Sequence, residues 1–220
     1  ITRQAVTKIE VIGMHGKLWK ASALFLTLVL VACEAPKPAS DAKTDTSSNN
    51  ASGPPQPVSG KTAFWEMYKS AHSWAPDLVP LALESKTIPN VKNEGGKAAM
   101  WTATFGSPGR REAKVFSYAV SASPPDIYKG VMVGNSLTWS GPTPAALPFT
   151  TTDFAVDSDA AYTAASAKAA DWAKSHPGAN VSFTLGNAER FKGPVWYVLW
   201  GEKKSGYSVL VDAQSGTIVK

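Results

Sequence analysis

From residue 61 onward, apolar and polar positions fall into blocks that switch between two periods. Residues 62–74 set Phe64, Tyr68 and Ala71 at helical spacing, Ala75 just beyond continues it, and Pro76 stops the pattern. Residues 158–174 repeat it with Tyr162, Ala165, Ala169 and Trp172, closed by Pro177 and Gly178. Two amphipathic helices are predicted. Asp157 or Ser158 suits the N-cap of the second, Asp159 its positive end, and Lys174 and His176 its negative end. After each helix the period drops to two, which predicts strands at residues 79–84, 99–106 and 113–120, and again at 181–185, 195–201 and 207–211. Trp101 and Trp196 take the same place in the two series, as do Gly106 and Gly201, so helix, strand, strand, strand is written twice. Between the copies, Val131-Met132-Val133 and Leu137-Thr138-Trp139 flank Gly134-Asn135-Ser136, which reads as a hairpin. A proline-rich loop, residues 141–148, leads on to the second copy.

A helix followed by an antiparallel meander buries one helix face on one sheet face, so the expected class is α+β, built from two pseudo-repeated units. The first unit is expected over residues 61–157, with its connecting hairpin, and the second over 158–220.

The chain before residue 61 follows other rules. A short basic stretch, residues 14–20, precedes the uncharged apolar run of residues 21–32, which ends at the lone cysteine, Cys33. A run this short does not span the roughly 30 Å hydrocarbon layer as an ordinary helix, and a basic start before it is the layout of a secretory signal. Residues 1–32 are therefore read as a signal peptide whose natural start is Met14. Leu30-Val31-Ala32-Cys33 resembles the bacterial lipobox, and the resemblance implies lipidation at Cys33. Residues 33–60 carry five prolines amid Ser, Asn and Ala with almost nothing to bury, the composition of an extended, solvated tether. Together these features predict a bacterial lipoprotein held to the cell membrane through Cys33 and facing the periplasm or the cell exterior.

Composition narrows the classes of function. The 220 residues are 44% hydrophobic and only 18% charged, with eight Trp, which suits a turn-rich packed domain rather than a coiled coil. The net charge of +5 is concentrated upstream: from Cys33 onward, 18 basic residues face 16 acidic ones. No nucleic-acid partner is expected, because phosphate-tracking surfaces gather Lys and Arg on one face. A single cysteine allows neither an internal disulfide nor a thiolate metal cluster.

The C-terminus carries the most distinctive pattern. Gly193-Pro194-Val195-Trp196-Tyr197-Val198, followed by Tyr207-Ser208-Val209-Leu210-Val211-Asp212-Ala213-Gln214-Ser215-Gly216-Thr217-Ile218, resembles the ending of a PepSY domain, in which an aromatic strand leads to a VDA-type turn and a final strand. Asp212 and Gly216 suit the two ends of that turn, the carboxylate capping backbone N–H groups and the glycine taking positive φ. The resemblance covers residues 158–220; in the first unit Val120-Ser121-Ala122-Ser123 stands where the turn would be. It implies a non-catalytic module that binds or inhibits a polypeptide of the cell envelope. Two alternatives stay open: a glycan-binding envelope component, and a hydrolase with an unrecognised site.

Candidate chemistry is sparse. His15 lies in the signal, while His72 and His176 sit at equivalent ends of the two helices, where a helix C-terminus favours them. No metal site is expected of them, and no cofactor. Phosphate-binding glycine loops and a Gly-x-Ser-x-Gly elbow are missing. Asp153, Asp157 and Asp159 lack the glycine and closing glutamate of a calcium loop and read as helix-capping groups. Trp74, Trp101, Trp172 and Trp196 are expected in the core. Trp65, Trp139 and Trp200 fit the repeat least, which makes them the candidate ligand-contact aromatics.

Overall fold

The computed structural model describes residues 53–219. The signal, Cys33 and most of the tether lie outside the described residues. Elements follow the order α1 (Gly60–Trp74), β1 (Val79–Lys86), β2 (Met100–Ser107), β3 (Glu112–Ala119), β4 (Gly130–Thr138), α2 (Ser158–Ser175), β5 (Val181–Gly186), β6 (Val195–Trp200) and β7 (Tyr207–Asp212). The α+β class holds. The seven strands form a single sheet in the order β4-β3-β2-β1-β5-β6-β7, antiparallel throughout, and the two meanders join where β1 pairs with β5 through Leu83 and Leu185.

The register explains why both helices lie on one face. Val133, Phe116, Ala103, Leu83, Leu185, Trp196 and Val211 stand opposite one another in a row across the whole sheet. Every member is apolar, and all but Val133 are buried. Against this face α1 covers β1, β2 and β3, while α2 covers β6 and β7. One residue along, the row on the opposite face reads Met132, Ser117, Thr102, Glu84, Thr184, Tyr197 and Leu210. Side chains alternate across a strand, so this hydroxyl-rich row faces away from the helices and needs no second layer.

The two helix starts meet over the centre of the sheet. Ser59 caps α1, its hydroxyl accepting from the Thr62 N–H at 3.4 Å; Asp157 caps α2, its carboxylate accepting from the Ser158 N–H at 2.7 Å. The caps also cross: the Gly60 N–H donates to Ser158 Oγ at 2.8 Å and the Lys61 N–H to Asp157 Oδ1 at 2.8 Å. Beneath them, the Trp101 indole N–H donates to the Val58 carbonyl at 3.0 Å and the Trp196 indole N–H to the Val156 carbonyl at 2.9 Å, the residue before the cap in each case. The rings meet edge to face with centroids 6.2 Å apart. A Cβ on Gly60 would stand 2.8 Å from the Trp196 ring, so glycine is required there.

Three sequence expectations change. Val58, Ser59 and Gly60, assigned to the tether, form a bridge to Ala98, the cap and the first helical residue. The hairpin at residues 131–139 is one strand, β4: Gly134 and Asn135 together oppose Val115, because β3 advances from Lys114 to Phe116 while β4 passes from Ser136 to Val133. The signal read as a turn is a β-bulge. Trp74 and Trp172, expected in the core, are half-buried at its margin.

Candidate functional site

The sheet has two edges, and they differ. At β7 the chain turns back: Asp212 Oδ1 accepts from the Ser215 N–H at 2.7 Å and the Gln214 N–H at 3.0 Å, and Gly216 takes φ 75°. This returns residues 217–219 to the outer side of β7, where the Asp212 N–H donates to the Thr217 carbonyl at 2.8 Å and the Val219 N–H to the Leu210 carbonyl at 2.9 Å. Ile218 bridges to Val211, and Val211 is fully buried. The Ser215 N–H above all, with the Ser215 hydroxyl and the Gln214 N–H, holds the Asp212 carboxyl below the ordinary carboxylate range.

At β4 no strand lies beyond the edge among the described residues. The strand is nine residues long and carries no charged side chain. Val133 is 59% exposed and Leu137 60%, with Tyr128 just before the strand 64% exposed. Edge strands of natural proteins are normally short, charged or covered, since unpaired N–H and C=O groups template further pairing. Only the bulge at Gly134-Asn135 blunts this one, and it leaves Gly130 to Val133 in regular register with β3.

A second feature lies on the face away from the helices. A groove of about 280 Å³ is floored by Ala82, Thr184, Tyr197 and Leu210 and walled by Ala145 and Arg190. The proline-rich loop makes its wall, held by the Leu147 N–H to the Asn187 carbonyl at 2.9 Å and the Glu189 N–H to the Pro144 carbonyl at 2.8 Å. Asn187 donates through Nδ2 to the Pro148 carbonyl at 3.1 Å, while its Oδ1 is buried without a partner.

The sequence-predicted site residues do not come together. Trp65, on the outer side of α1, is 43% exposed, its ring edge-on to Tyr68 at 5.3 Å. Trp139 is half-buried, its indole over Gly106, where a Cβ would stand 3.0 Å from the ring. Trp200 corrects the expectation: it is 4% exposed and stacks on Tyr162 at 6.0 Å, because it shares the helix-facing side of β6 with Trp196 and Val198. No common aromatic platform results.

His72 is exposed in the last turn of α1, and His176 caps α2 with its ring stacked on Trp172 at 4.0 Å and Nδ1 2.9 Å from the Trp172 carbonyl oxygen. The three aspartates are occupied locally: Asp157 as described, Asp159 accepting from the Ala160 N–H at 2.8 Å, and Asp153 from the Thr150 hydroxyl at 2.7 Å. Among the described residues no three His, Cys, Asp or Glu side chains gather as metal ligands, and no helix is long and apolar enough to cross a membrane. Cys33 and His15 lie outside the described residues. Asp77, which sequence reasoning passed over, pins the β2–β3 turn: it accepts from Ser107 Oγ and the Gly109 N–H, both at 2.7 Å, and its carboxyl is held below the usual range chiefly by the Ser107 bond.

No family model matches the chain, and no curated protein matches it. Among solved structures, a crystal structure described as a "putative lipoprotein" from Clostridium difficile 630 is similar at a TM-score of 0.48 and 12% identity, over 72% of this chain and 90% of that one. Likeness at that level bears on neither activity nor anchoring.

Proposed function

We propose that this protein is a lipid-anchored component of the bacterial cell envelope whose folded part is a non-catalytic binding module, taking an extended polypeptide along the outer edge of β4. The observation that carries the reading is that uncharged, nine-residue edge with Val133 and Leu137 more than half exposed. An added strand would satisfy the free backbone groups there and cover both side chains, the strand-addition mode of peptide recognition. The glycan reading loses support from the scattering of Trp65, Trp139 and Trp200.

The two halves are copies of one PepSY-like helix-and-meander unit in this proposal. Its support is the repeated bond from a strand tryptophan to the carbonyl before its own helix cap, at Trp101 with Val58 and at Trp196 with Val156. The turn after β7, with Asp212 as acceptor and Gly216 at positive φ, supports the same reading. The anchor rests on the basic start, the apolar run and Leu30-Val31-Ala32-Cys33. Acyl chains on Cys33 would hold the domain at the membrane stably where one chain alone would not.

A photo-crosslinking residue at Val133 in intact cells tests the binding mode. Crosslinks to polypeptide from Val133 are expected; crosslinks only from loop positions such as Pro144, with none from Val133 or Leu137, would overturn it. Acyl mass on the Cys33 peptide tests the anchor, and a free Cys33 thiol on the mature chain would overturn that part.

A further inference from the structure

We infer that the occupant of the β4 edge is a second copy of this chain, paired antiparallel through its own β4 about a two-fold axis at Met132. The inference rests on the strand-addition reading and names its partner. An isologous contact brings one patch against itself, so the patch must be self-complementary. For two antiparallel strands that condition is a sequence that reads the same in both directions about the axis.

Gly130-Val131-Met132-Val133-Gly134 meets that condition. Centred on Met132, the pairing sets Met132 against Met132, Val131 against Val133, and Gly130 against Gly134. Continuing outward, Lys129 meets Asn135, so no like charges stand opposite. A register centred one residue on, at Val133, sets Val131 against Asn135 and Met132 against Gly134, and loses the apolar match.

The geometry of the fold fits the same axis. Val131 and Val133 belong to the helix-facing side, opposite Tyr118 and Phe116, while Met132 belongs to the other side, opposite Ser117. Pairing centred on a residue keeps each side with its like, so the two sheets would join with all their helices on one side. The apolar row that ends at exposed Val133 would then continue into the partner through Val131 instead of stopping at water. Four of the five residues that pair, Gly130 to Val133, lie in regular register with β3 and the fifth, Gly134, opens the bulge, so the distortion limits the contact at its ends. A short contact of this kind gives modest affinity in solution, and confinement of both copies to one membrane would raise their effective concentration.

The test uses the full chain in cell membranes and in detergent. Met132→Cys should crosslink symmetrically with a short bis-maleimide, whereas Leu137→Cys, beyond the bulge, and the unsubstituted chain should not. Val133→Lys should weaken the dimer at least tenfold by sedimentation, because it sets two ammonium groups beside the axis. Val133 is exposed, so at dilution, where the chain is monomeric, the variant should keep its unfolding midpoint. A chain that stays monomeric at the highest concentrations reached, or a dimer that Met132→Cys does not trap, overturns the inference. The two readings separate with a synthetic Thr-Val repeat peptide. A monomeric chain whose β4 amides gain exchange protection with that peptide overturns the two-copy inference and keeps strand addition. No protection of β4 under either condition overturns both.

Discussion

The apolar row beneath the helices ends in opposite ways at its two edges. At β7 it ends on Val211, fully buried, because the chain turns at Asp212 and Gly216 and lays Ile218 beside it. At β4 it ends on Val133, 59% exposed, with no element beyond it among the described residues. The side chains that end the row are the same type, so the difference lies in what the backbone does next. An apolar row left uncovered on its last strand leaves backbone groups free for further pairing, and of the two edges only β4 is left so among the described residues.

The largest expected effect comes from breaking the row at its middle, where both halves share it. Leu185→Ala removes a fully buried side chain next to the β1–β5 junction and should cost about 2–5 kcal/mol, read as a loss in the denaturation midpoint. One cooperative transition should persist if the halves share this core. Closing and opening of the edges come next. Asp212→Ala removes the acceptor that holds the turn at β7 and should cost about 1 kcal/mol, together with faster exchange of the backbone amide at position 212.

Acid should act in the same direction. A carboxyl whose folded pKa lies below its ordinary value of 3.8 adds stability above that value and loses it as pH falls through the lower folded one. Stability should therefore drop below about pH 4, and the drop should be shallower in Asp212→Asn when unfolding is followed against pH. The smallest effect belongs to the open edge: Val133→Thr should change monomer stability by less than about 0.5 kcal/mol, because its side chain already meets water. A larger loss would show that Val133 is part of the core and not an open end.

Much of this was legible in the sequence because alternation and helical spacing are local. Both helices and the six meander strands lie within two residues of their expected bounds. The miss at residues 131–139 has a physical cause: Gly134 and Asn135 suit a hairpin turn and a bulge alike, and only pairing with β3 decides between them. Trp200 was readable, since Trp196, Val198 and Trp200 alternate onto one side of a strand whose first member was already expected in the core. The crossed caps were not. Gly60 and Ser158 are bonded across 98 residues, and no local pattern announces a contact of that range. The open edge was hidden in the same misreading as the hairpin, although the palindrome about Met132 stood in the sequence throughout.

Residue-resolved hydrogen exchange, with and without an extended Thr-Val peptide, tests the open β4 edge most directly. In the dilute free chain the amides of Asp212 and Val219 should be protected, while those of β4 that point away from β3 should exchange fast. With the peptide added, protection should rise along residues 130–134 and stay unchanged at β7. Protection gained at β7 or in the proline-rich loop alone, or β4 amides already slow in the dilute chain, would contradict the account.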